Sequence, residues 1–251
     1  MITVVIIGSG NVATHLCTAF RNSTGVRVIQ TFNRKNKAIG TIPVTDDYAL
    51  LRLADLYIIA VSDDAIAEVS QQLPFTGRLV VHTSGSVALE ELHSGNRKGV
   101  FYPLQSFSMN KTVNFADIPL CIEAADESDT VFLKTVAGSI SDHVHPVDSD
   151  QRRSLHLSAV FVNNFTNYMY TIGHELCKEN RLPFDLLRPL IRETAAKIED
   201  VSPEEAQTGP ARRHDESTIR KHLDLLKPHP GYEEIYRLLS KNIREMYPEQ
   251  E

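Results

Sequence analysis

The sequence predicts an α/β fold, a doubly wound parallel sheet followed by an all-α C-terminal domain. Residues 2–7 (ITVVII) form an unbroken, largely β-branched apolar run, which is typical of a strand buried on both faces of a parallel sheet. Strand and helix patterns then alternate up to residue 147, as they do in sheets with right-handed crossovers. After Val147 the strand patterns end and only helical patterns follow. We therefore expect domains at residues 1–147 and 148–251.

The predicted elements follow from short apolar runs and from apolar residues at helical spacing. Strands are predicted at 2–7, 26–32, 55–61, 78–82, 100–102, 118–124 and 143–147. Helices of the first domain are predicted after residue 11, at 63–72, over a short stretch through Leu92 and at 128–138. Either Ser62 or Asp63 is a suitable N-cap for the helix at 63–72. Helices of the second domain are predicted at 149–178, 184–200, 215–226 and 231–246.

Composition favours an ordinary globular protein. The 251 residues are 42% hydrophobic and 23% charged, with a formal net charge of -6, which gives no reason to expect nucleic acid or an anionic membrane as partner. The three cysteines form no CxxC pair, so we expect thiols in a reducing compartment and no metal site. A buried strand starts within the first few residues and leaves no room for a signal peptide, which indicates a cytoplasmic location.

The opening stretch GSGNVA matches the dinucleotide-binding pattern G-x-G-x-x-A through Gly8, Gly10 and Ala13. The first glycine permits a tight turn, the second lets a pyrophosphate approach the backbone, and Ala13 allows close packing of helix on strand. The N–H groups of Ser9 to Ala13, including those of Asn11 and Val12, would then face the phosphates. A glycine turn without a ligand is the alternative, but the position between strand and helix favours a Rossmann-type domain.

The end of the second predicted strand favours NADP over NAD. An NAD site usually carries Asp or Glu about 20 residues after the motif, where it holds the ribose 2′-hydroxyl. This chain has no acidic residue before Asp46 and reads FNRKNK at that place. Asn33 can bond the ribose, Arg34 can pair with a 2′-phosphate and stack on adenine, and Lys35 adds positive potential. A solvated basic turn is the other interpretation.

Polar residues at other strand ends are candidates for the rest of the site, since ligands of open α/β sheets lie beyond the carboxyl ends of the strands. We expect the ribose to contact Val61 and Ser62, the nicotinamide to lie near Thr83, Ser84 and Gly85, and the substrate to reach Gln105 and Ser106. Turn formation and helix capping are the alternatives for each of them.

The helix pattern after residue 153 carries no charged side chain until Glu175, so we expect it to be central and largely buried. The asparagines in the stretch argue against a membrane span. At about 100° per residue, one face carries His156 and Asn163, with Asn164 one position further round. This polar stripe could line a cleft, join a helix–helix network or contact another subunit.

The segment TGPARRHDEST, residues 208–218, predicts a helix break followed by a new helix with Asp215 as N-cap. Arg212 and Arg213 precede that helix start, where guanidinium groups and the helix dipole could hold an anion. An ordinary interhelical loop is the alternative.

The order of these pieces resembles a bacterial family known as a domain of unknown function, DUF2520. The resemblance rests on GxGxxA, NR, HTSGS, YPLQSF, H-x-x-A-V-x-x-N-N and GP-x-x-R-x-D-x-x-T-x-x-x-HL. The family is described as NADP oxidoreductases, similar in architecture to pyrroline-5-carboxylate reductase and 6-phosphogluconate dehydrogenase. The resemblance implies a helical dimerisation domain and points to functional residues at His156, Asn164, Gly209, Pro210, Arg213, Asp215, Thr218 and His222. His214 stands where we expect glycine.

We therefore expect an NADP-dependent oxidoreductase that acts on a small C=N or C=O metabolite and forms a homodimer. Ketone-reducing relatives use a lysine on the long helix, whereas this chain has none between Lys134 and Lys178. His156 is the candidate for proton transfer, because imidazole titrates near neutral pH, and Asn164 or Asn163 for positioning the substrate. The expected cleft between the domains includes Ser84, Gln105 and Arg213. A non-catalytic NADP-binding redox sensor is the alternative, as is a dehydrogenase working in the oxidative direction.

Overall fold

The computed structural model describes residues 1–109 and 111–248, which form two compact units, Met1–Phe165 and Thr166–Glu251. Within these residues, eight strands form one sheet in the order β3-β2-β1-β4-β5-β6-β7-β8. The strands are β1 (Ile2–Ile7), β2 (Val26–Phe32), β3 (Val44–Thr45), β4 (Leu56–Ile59), β5 (Leu79–His82), β6 (Arg97–Pro103), β7 (Leu120–Ala124) and β8 (Val144–Pro146). All neighbours are parallel except β6 and β7. The predicted doubly wound α/β fold is confirmed.

Helices of the first unit pack on the sheet through apolar faces. They are α1 (Asn11–Arg21), α2 (Ile66–Gln71), α3 (Glu127–Gly138) and α4 (Ser149–Ala159). Leu16 and Phe20 of α1 and Leu133 of α3 are buried against strand residues such as Val4 and Phe101. Because the strands are buried on both faces, they read as continuous apolar runs.

The second unit is helical in its described residues. Its helices are α5 (Thr166–Glu179), α6 (Arg188–Asp200), α7 (Pro203–Ala206), α8 (Glu216–Leu226) and α9 (Pro230–Met246). None of the helices that the structure describes has both the length and the hydropathy to cross a bilayer.

The structure differs from the local expectations at four places. The chain contains the short strand β3, whose two residues are too few to show alternation. The helix expected through Leu92 is only a 3-10 turn at Leu89–Glu91. The helix at 63–72 starts as a 3-10 turn, and Ser62, one of the two predicted candidates, is its N-cap but makes no side-chain capping hydrogen bond. The carboxylate of Asp63, the other candidate, accepts a hydrogen bond from the Ser86 hydroxyl at 2.5 Å. A π-helical turn, Val160–Phe165, interrupts the long helix predicted at 149–178.

The uncharged stretch of that helix is also more exposed than expected. In the single chain, Leu157 and Phe161 are 60% exposed and Val162 is 74% exposed. The sheet ends at Pro146, close to the predicted boundary at 147, but the compact unit runs on to Phe165. It does so because α4 is fixed to the sheet by the fully buried side chain of Arg152.

Candidate functional site

A cavity of about 330 Å³ lies at the carboxyl ends of β1, β2 and β4. The glycine turn after β1, the basic turn after β2 and α2 all contribute to its lining. Its lining includes the predicted residues Gly8, Ser9, Gly10, Asn33, Arg34, Lys35, Val61 and Ser62. A neighbouring cavity of about 300 Å³ shares the glycines, Val61 and Ser62, and adds Asn11 and Val12. Because the two cavities share these residues, we describe them together as one groove over the strand ends.

The two glycines of the turn are required for different reasons. Gly8 has φ +138°, and a Cβ there would lie 2.1 Å from the carbonyl oxygen of Ala60 on the neighbouring strand end. Gly8 is therefore needed by the fold itself. A Cβ on Gly10 would meet nothing within 4 Å and would project into open space. The fold does not require glycine at position 10, which leaves the close approach of a ligand as the reason for it.

The start of α1 can bind an anion. Its N-cap, Gly10, provides no side-chain hydrogen bond, and the first turn contains no acidic residue. The first N–H groups of a helix have no partner within the helix and carry its positive dipole end. Ala13 is fully buried and lets α1 pack closely on the sheet, as its place in the motif predicts.

The basic turn after β2 is held by Asn33. The side chain of this residue donates to the Lys37 carbonyl at 2.9 Å and accepts from the Lys37 N–H at 2.8 Å. Asn33 therefore shapes the turn, whereas the sequence suggested that it bonds a ribose. Arg34 and Lys35 are exposed, and within the described residues no hydrogen bond or ion pair occupies either side chain. The turn thus presents two unneutralised cations to the cavity.

Aromatic and polar side chains complete the lining of the cavity. Tyr48 lines the cavity and stacks on Phe32, with ring centroids 4.1 Å apart. Burial, reinforced by the charge of Glu68, raises the pKa of Tyr48, and the charge of Arg34 opposes that shift. Glu68 accepts a hydrogen bond from Gln72 at 3.0 Å. The lining contains two cationic side chains, Arg34 and Lys35, and one anionic side chain, Glu68, so its net charge is positive.

A second cluster lies at the ends of β5 and β6. The loop after β5 is buried at Thr83 and Ser84, and the Ser84 hydroxyl accepts from the N–H groups of Ser86 and Val87. Ser84 therefore builds the loop. Thr83, Ser84 and Gly85 line neither part of the groove.

His156 of α4 packs directly on this loop. Its Nδ1 lies 3.1 Å from the hydroxyl oxygen of Tyr102 on β6. A Cβ at position 85 would come within 2.5 Å of that Nδ1 and 2.8 Å of the Tyr102 ring, so any larger residue would have to displace these side chains. Burial raises the pKa of Tyr102 to about 12, and the phenol stays protonated at neutral pH. Gly85, Tyr102 and His156 are far apart in the sequence, so their contact could not be predicted from it.

Arg152, one turn before His156, fixes α4 to the loop. Its guanidinium donates to the carbonyls of Ser84 and Val87 at 3.1 and 2.7 Å, and to the carboxylate of Glu123 at 3.0 Å. It also donates to the Ser149 hydroxyl at 2.9 Å. The side chain is fully buried, so this network is a rigid support for the helix that carries His156.

Gln105 and Ser106 are exposed, and the Gln105 side chain accepts from the Ser106 N–H at 2.8 Å. Their loop is tied to α1: the Asn11 amide donates to the Phe107 carbonyl at 2.8 Å, and His15 Nε2 lies 3.0 Å from the Ser108 carbonyl. Asn11 therefore connects the glycine turn to the loop of the two predicted substrate residues.

Asn163 and Asn164 are exposed and lie in the π turn. A π turn adds one residue to the helical repeat, so positions after it are displaced by about 100° relative to a regular helix. Asn164 therefore moves towards the face of His156, which a regular helix would assign to Asn163. Helical periodicity cannot reveal this shift, because it assumes an unbroken α-helix.

In the second unit, the loop before α8 is closed by its own side chains. Asp215 caps α8 as predicted and accepts from the N–H and hydroxyl of Thr218, and these hydrogen bonds lower its pKa. Arg212 is occupied, because it donates to the Glu205 carbonyl and lies 4.6 Å over the Tyr247 ring. His214 has φ +53°, the left-handed conformation for which the expected glycine is suited.

Arg213 of the same loop is exposed, and its side chain makes no ion pair or hydrogen bond to other described residues. Gly209 has φ +106° and permits the turn that starts the loop. Nδ1 of His222 on α8 lies 2.9 Å from the hydroxyl oxygen of Tyr236 on α9.

Sequence reasoning missed Arg152, Glu123 and the role of Tyr102. Of these, only Tyr102 carried a signal, its place at a strand end.

Comparisons with known proteins identify the family and the fold. The family model described as a domain of unknown function, DUF2520, matches residues 118–243. A Bacteroides fragilis protein, by its name a candidate NADP oxidoreductase, is 41% identical, with a TM-score of 0.88 and coverage of 97% of this chain and 98% of that chain. No curated protein matches.

Two more distant structures share the fold. A Thermotoga maritima protein is 19% identical, with a TM-score of 0.74 over 97% of this chain and 98% of its own. An imine reductase of Myxococcus stipitatus, solved in complex with NADP+, is 16% identical, with a TM-score of 0.68 over 97% of this chain and 93% of its own. The match to the family model and to the Bacteroides protein shows that this chain belongs to the DUF2520 family.

Proposed function

We propose that this chain is an NADP-dependent oxidoreductase that transfers a hydride between NADP(H) and a small metabolite with a C=N or C=O bond. The observation that carries the proposal is the groove over β1, with Arg34 and Lys35 unpaired where an NAD site would carry a carboxylate. The name of the Bacteroides relative and the NADP+ in the imine reductase support the same cofactor.

The residues of the groove fit NADP in order. The open space beside Gly10 and the uncapped start of α1 suit the pyrophosphate, with Ser9, Asn11 and Val12 beside it. Val61 and Ser62 suit the ribose, and Arg34 and Lys35 suit the 2′-phosphate. When bound, NADP(H) supplies or accepts the hydride. Residues 1–147 are then the cofactor domain, with the loop at Thr83 to Gly85 near the nicotinamide.

In this proposal His156 exchanges a proton with the substrate, and Asn164, with Asn163 beside it, positions the reacting group. His156 is half-buried beside the loop after β5, at the same carboxyl edge of the sheet as the groove. Residues 148–251 carry the substrate and dimer functions. Gln105, Ser106, Gly209, Arg213 and Asp215 are the proposed substrate residues, with Arg213 for an anionic group.

Calorimetric titration with NADP and NAD tests the cofactor. One charge-assisted contact contributes roughly 1.5–3 kcal/mol, so Arg34→Ala should weaken NADP binding about ten- to a hundredfold and leave NAD nearly unchanged. Arg27→Ala is the matched control: it removes the same charge from the amino end of the same strand, roughly 20 Å away, well beyond the screening length. Equal losses for both cofactors in Arg34→Ala would contradict the 2′-phosphate role.

Turnover tests the catalytic part. With NADPH and a panel of small imines and carbonyl compounds, we expect loss of NADPH absorbance with at least one compound. His156→Ala should then reduce kcat by roughly 10²-fold or more and keep NADP affinity within about twofold, since no cofactor contact is removed. Tight NADP binding without turnover of any such compound would instead favour the redox-sensing alternative.

The dimer is proposed from the exposed apolar side chains around the π turn. Leu157, Val162 and Phe165 are between 50% and 74% exposed, although their stretch carries no charge. A second copy is the occupant that would bury them, as in the dimerisation domain implied by the family. We expect sedimentation to show a dimer at micromolar concentration and Val162→Asp to shift it towards monomer. A wild-type monomer would contradict the proposal.

A further inference from the structure

The contact between Tyr102 and His156 occupies one of the two ring nitrogens of the proposed proton donor. The phenol oxygen lies 3.1 Å from Nδ1, and the two rings cross at 70° with centroids 6.0 Å apart. Tyr102 is only 9% exposed. Nε2 makes no hydrogen bond with the described part of the chain.

The direction of this hydrogen bond follows from the chemistry of the two groups. At neutral pH the phenol is protonated, and within the described residues Nδ1 of His156 is the acceptor in reach of its hydrogen. A Tyr102 hydroxyl that donates to Nδ1 requires the lone pair there, so a neutral His156 bonded in this direction carries its ring proton on Nε2. A hydroxyl accepts as well as donates, so Tyr102 can also hold Nδ1–H when the imidazole is charged.

Two further contacts keep the pair in place. Gly85 leaves room for both rings, since any Cβ there would overlap Nδ1. Arg152 ties the loop of Gly85 to the helix turn that precedes His156, through the carbonyls of Ser84 and Val87. The backbone that carries His156 is therefore held by a buried network, and rotation of the imidazole itself would break its contact with Tyr102.

We propose that Tyr102 is a positioning residue that reserves Nδ1 of His156 and leaves Nε2 as the nitrogen that exchanges its proton with the substrate. This inference rests on the proposed function. As imidazolium, His156 gives the Nε2 proton to the nitrogen or oxygen of the C=N or C=O group as its π bond breaks. That proton balances the hydride added at carbon. His156 is left neutral, with Nδ1–H bound to the Tyr102 oxygen. Proton exchange with water, which removes the Nδ1 proton and returns one to Nε2, then restores the resting Nε2–H tautomer, in which Tyr102 donates to Nδ1.

Nitrogen NMR of the full-length protein, labelled at histidine, tests this without any substrate. Neutral His156 should be the Nε2–H tautomer in wild type and a mixture of tautomers in Tyr102→Phe. Tyr236→Phe is the matched control, because Tyr236 makes the same contact to Nδ1 of His222 at 2.9 Å. It should change the His222 signal and leave that of His156 as it is.

The outcomes separate the two proposals. Two results would overturn the role of Tyr102: a proton on Nδ1 of wild-type His156, or an unchanged tautomer in Tyr102→Phe. The first result is measured on the wild-type protein and so does not depend on the variant folding. In turnover, Tyr102→Phe should lower kcat about tenfold, as expected for one lost neutral hydrogen bond, with little change in KM. A rise in KM alone would overturn it. Normal turnover of His156→Ala would refute proton delivery by His156, even where the tautomer result holds.

Discussion

Replacing Arg152 by methionine should destabilise the first compact unit more than any nearby surface change. The guanidinium is fully buried and donates to two carbonyls, one carboxylate and one hydroxyl. Methionine fills most of the volume but leaves Glu123, whose side chain is 14% exposed, without its cation. Breaking a buried pair in this way costs about 3–5 kcal/mol, because the remaining charge stays desolvated.

Urea unfolding followed by circular dichroism measures this cost, and heating should show a midpoint lower by about 6–20 °C. Arg153→Met is the matched control. Arg153 is the next residue, half exposed, and pairs with the exposed Asp150, so its loss should change stability by less than about 1 kcal/mol. A double variant with Glu123→Gln should recover part of the Arg152→Met loss, because it removes the stranded charge. If Arg152→Met unfolds at the same urea concentration as Arg153→Met, the network does not support α4 as described.

Two further predictions concern the glycine turn and His82 at the carboxyl end of β5. Gly10→Ala should leave the unfolding midpoint within about 2 °C, since its Cβ meets no protein atom, yet weaken NADP binding measurably by calorimetry. Gly8→Ala should instead impair folding itself, because its Cβ overlaps Ala60. Unchanged NADP affinity in Gly10→Ala would argue against the pyrophosphate position. Burial, together with the charge of Arg152, lowers the pKa of His82 from 6.5 to about 4. As the pH falls, the unfolded chain therefore binds a proton at this histidine before the folded chain does. The free energy of unfolding should decrease by about 3 kcal/mol in total as the pH drops from about 6.5 to 4. His82→Asn keeps an acceptor for the Ser84 N–H and should show a correspondingly smaller loss between pH 7 and pH 4 in urea titrations; equal slopes in both proteins would mean that His82 does not carry this dependence.

The fold could be predicted from the sequence because its signals are local. The apolar run of β1, the glycines after it and the capping role of Asp215 each depend on neighbours a few residues away, and each was found where expected. The short strand β3 gave no such signal. The exposed face at Val162 was misjudged, because an uncharged helix is buried either by its own chain or by another molecule, and the sequence does not distinguish them.

The candidate site was less predictable, because its key contacts join distant parts of the chain. Arg152 and Arg153 are adjacent arginines on one helix, and nothing local tells which is buried. The π turn moved the face of the helix by one residue, which separates Asn164 from Asn163 in a way that regular periodicity hides. Asn33 has the right residue type for a ribose contact, but its amide is used to close the basic turn.

The fit around Gly85 ties together three positions that are far apart in the chain. A side chain at 85 would displace the Tyr102 ring and the imidazole of His156 at once. Substitutions at these three positions are therefore expected to be coupled in evolution. Among related sequences, a larger residue at 85 should occur only together with a different partner at 102 or 156. A residue larger than glycine at 85 should thus mark, in the sequence alone, a related chain that lacks the tyrosine–histidine pair.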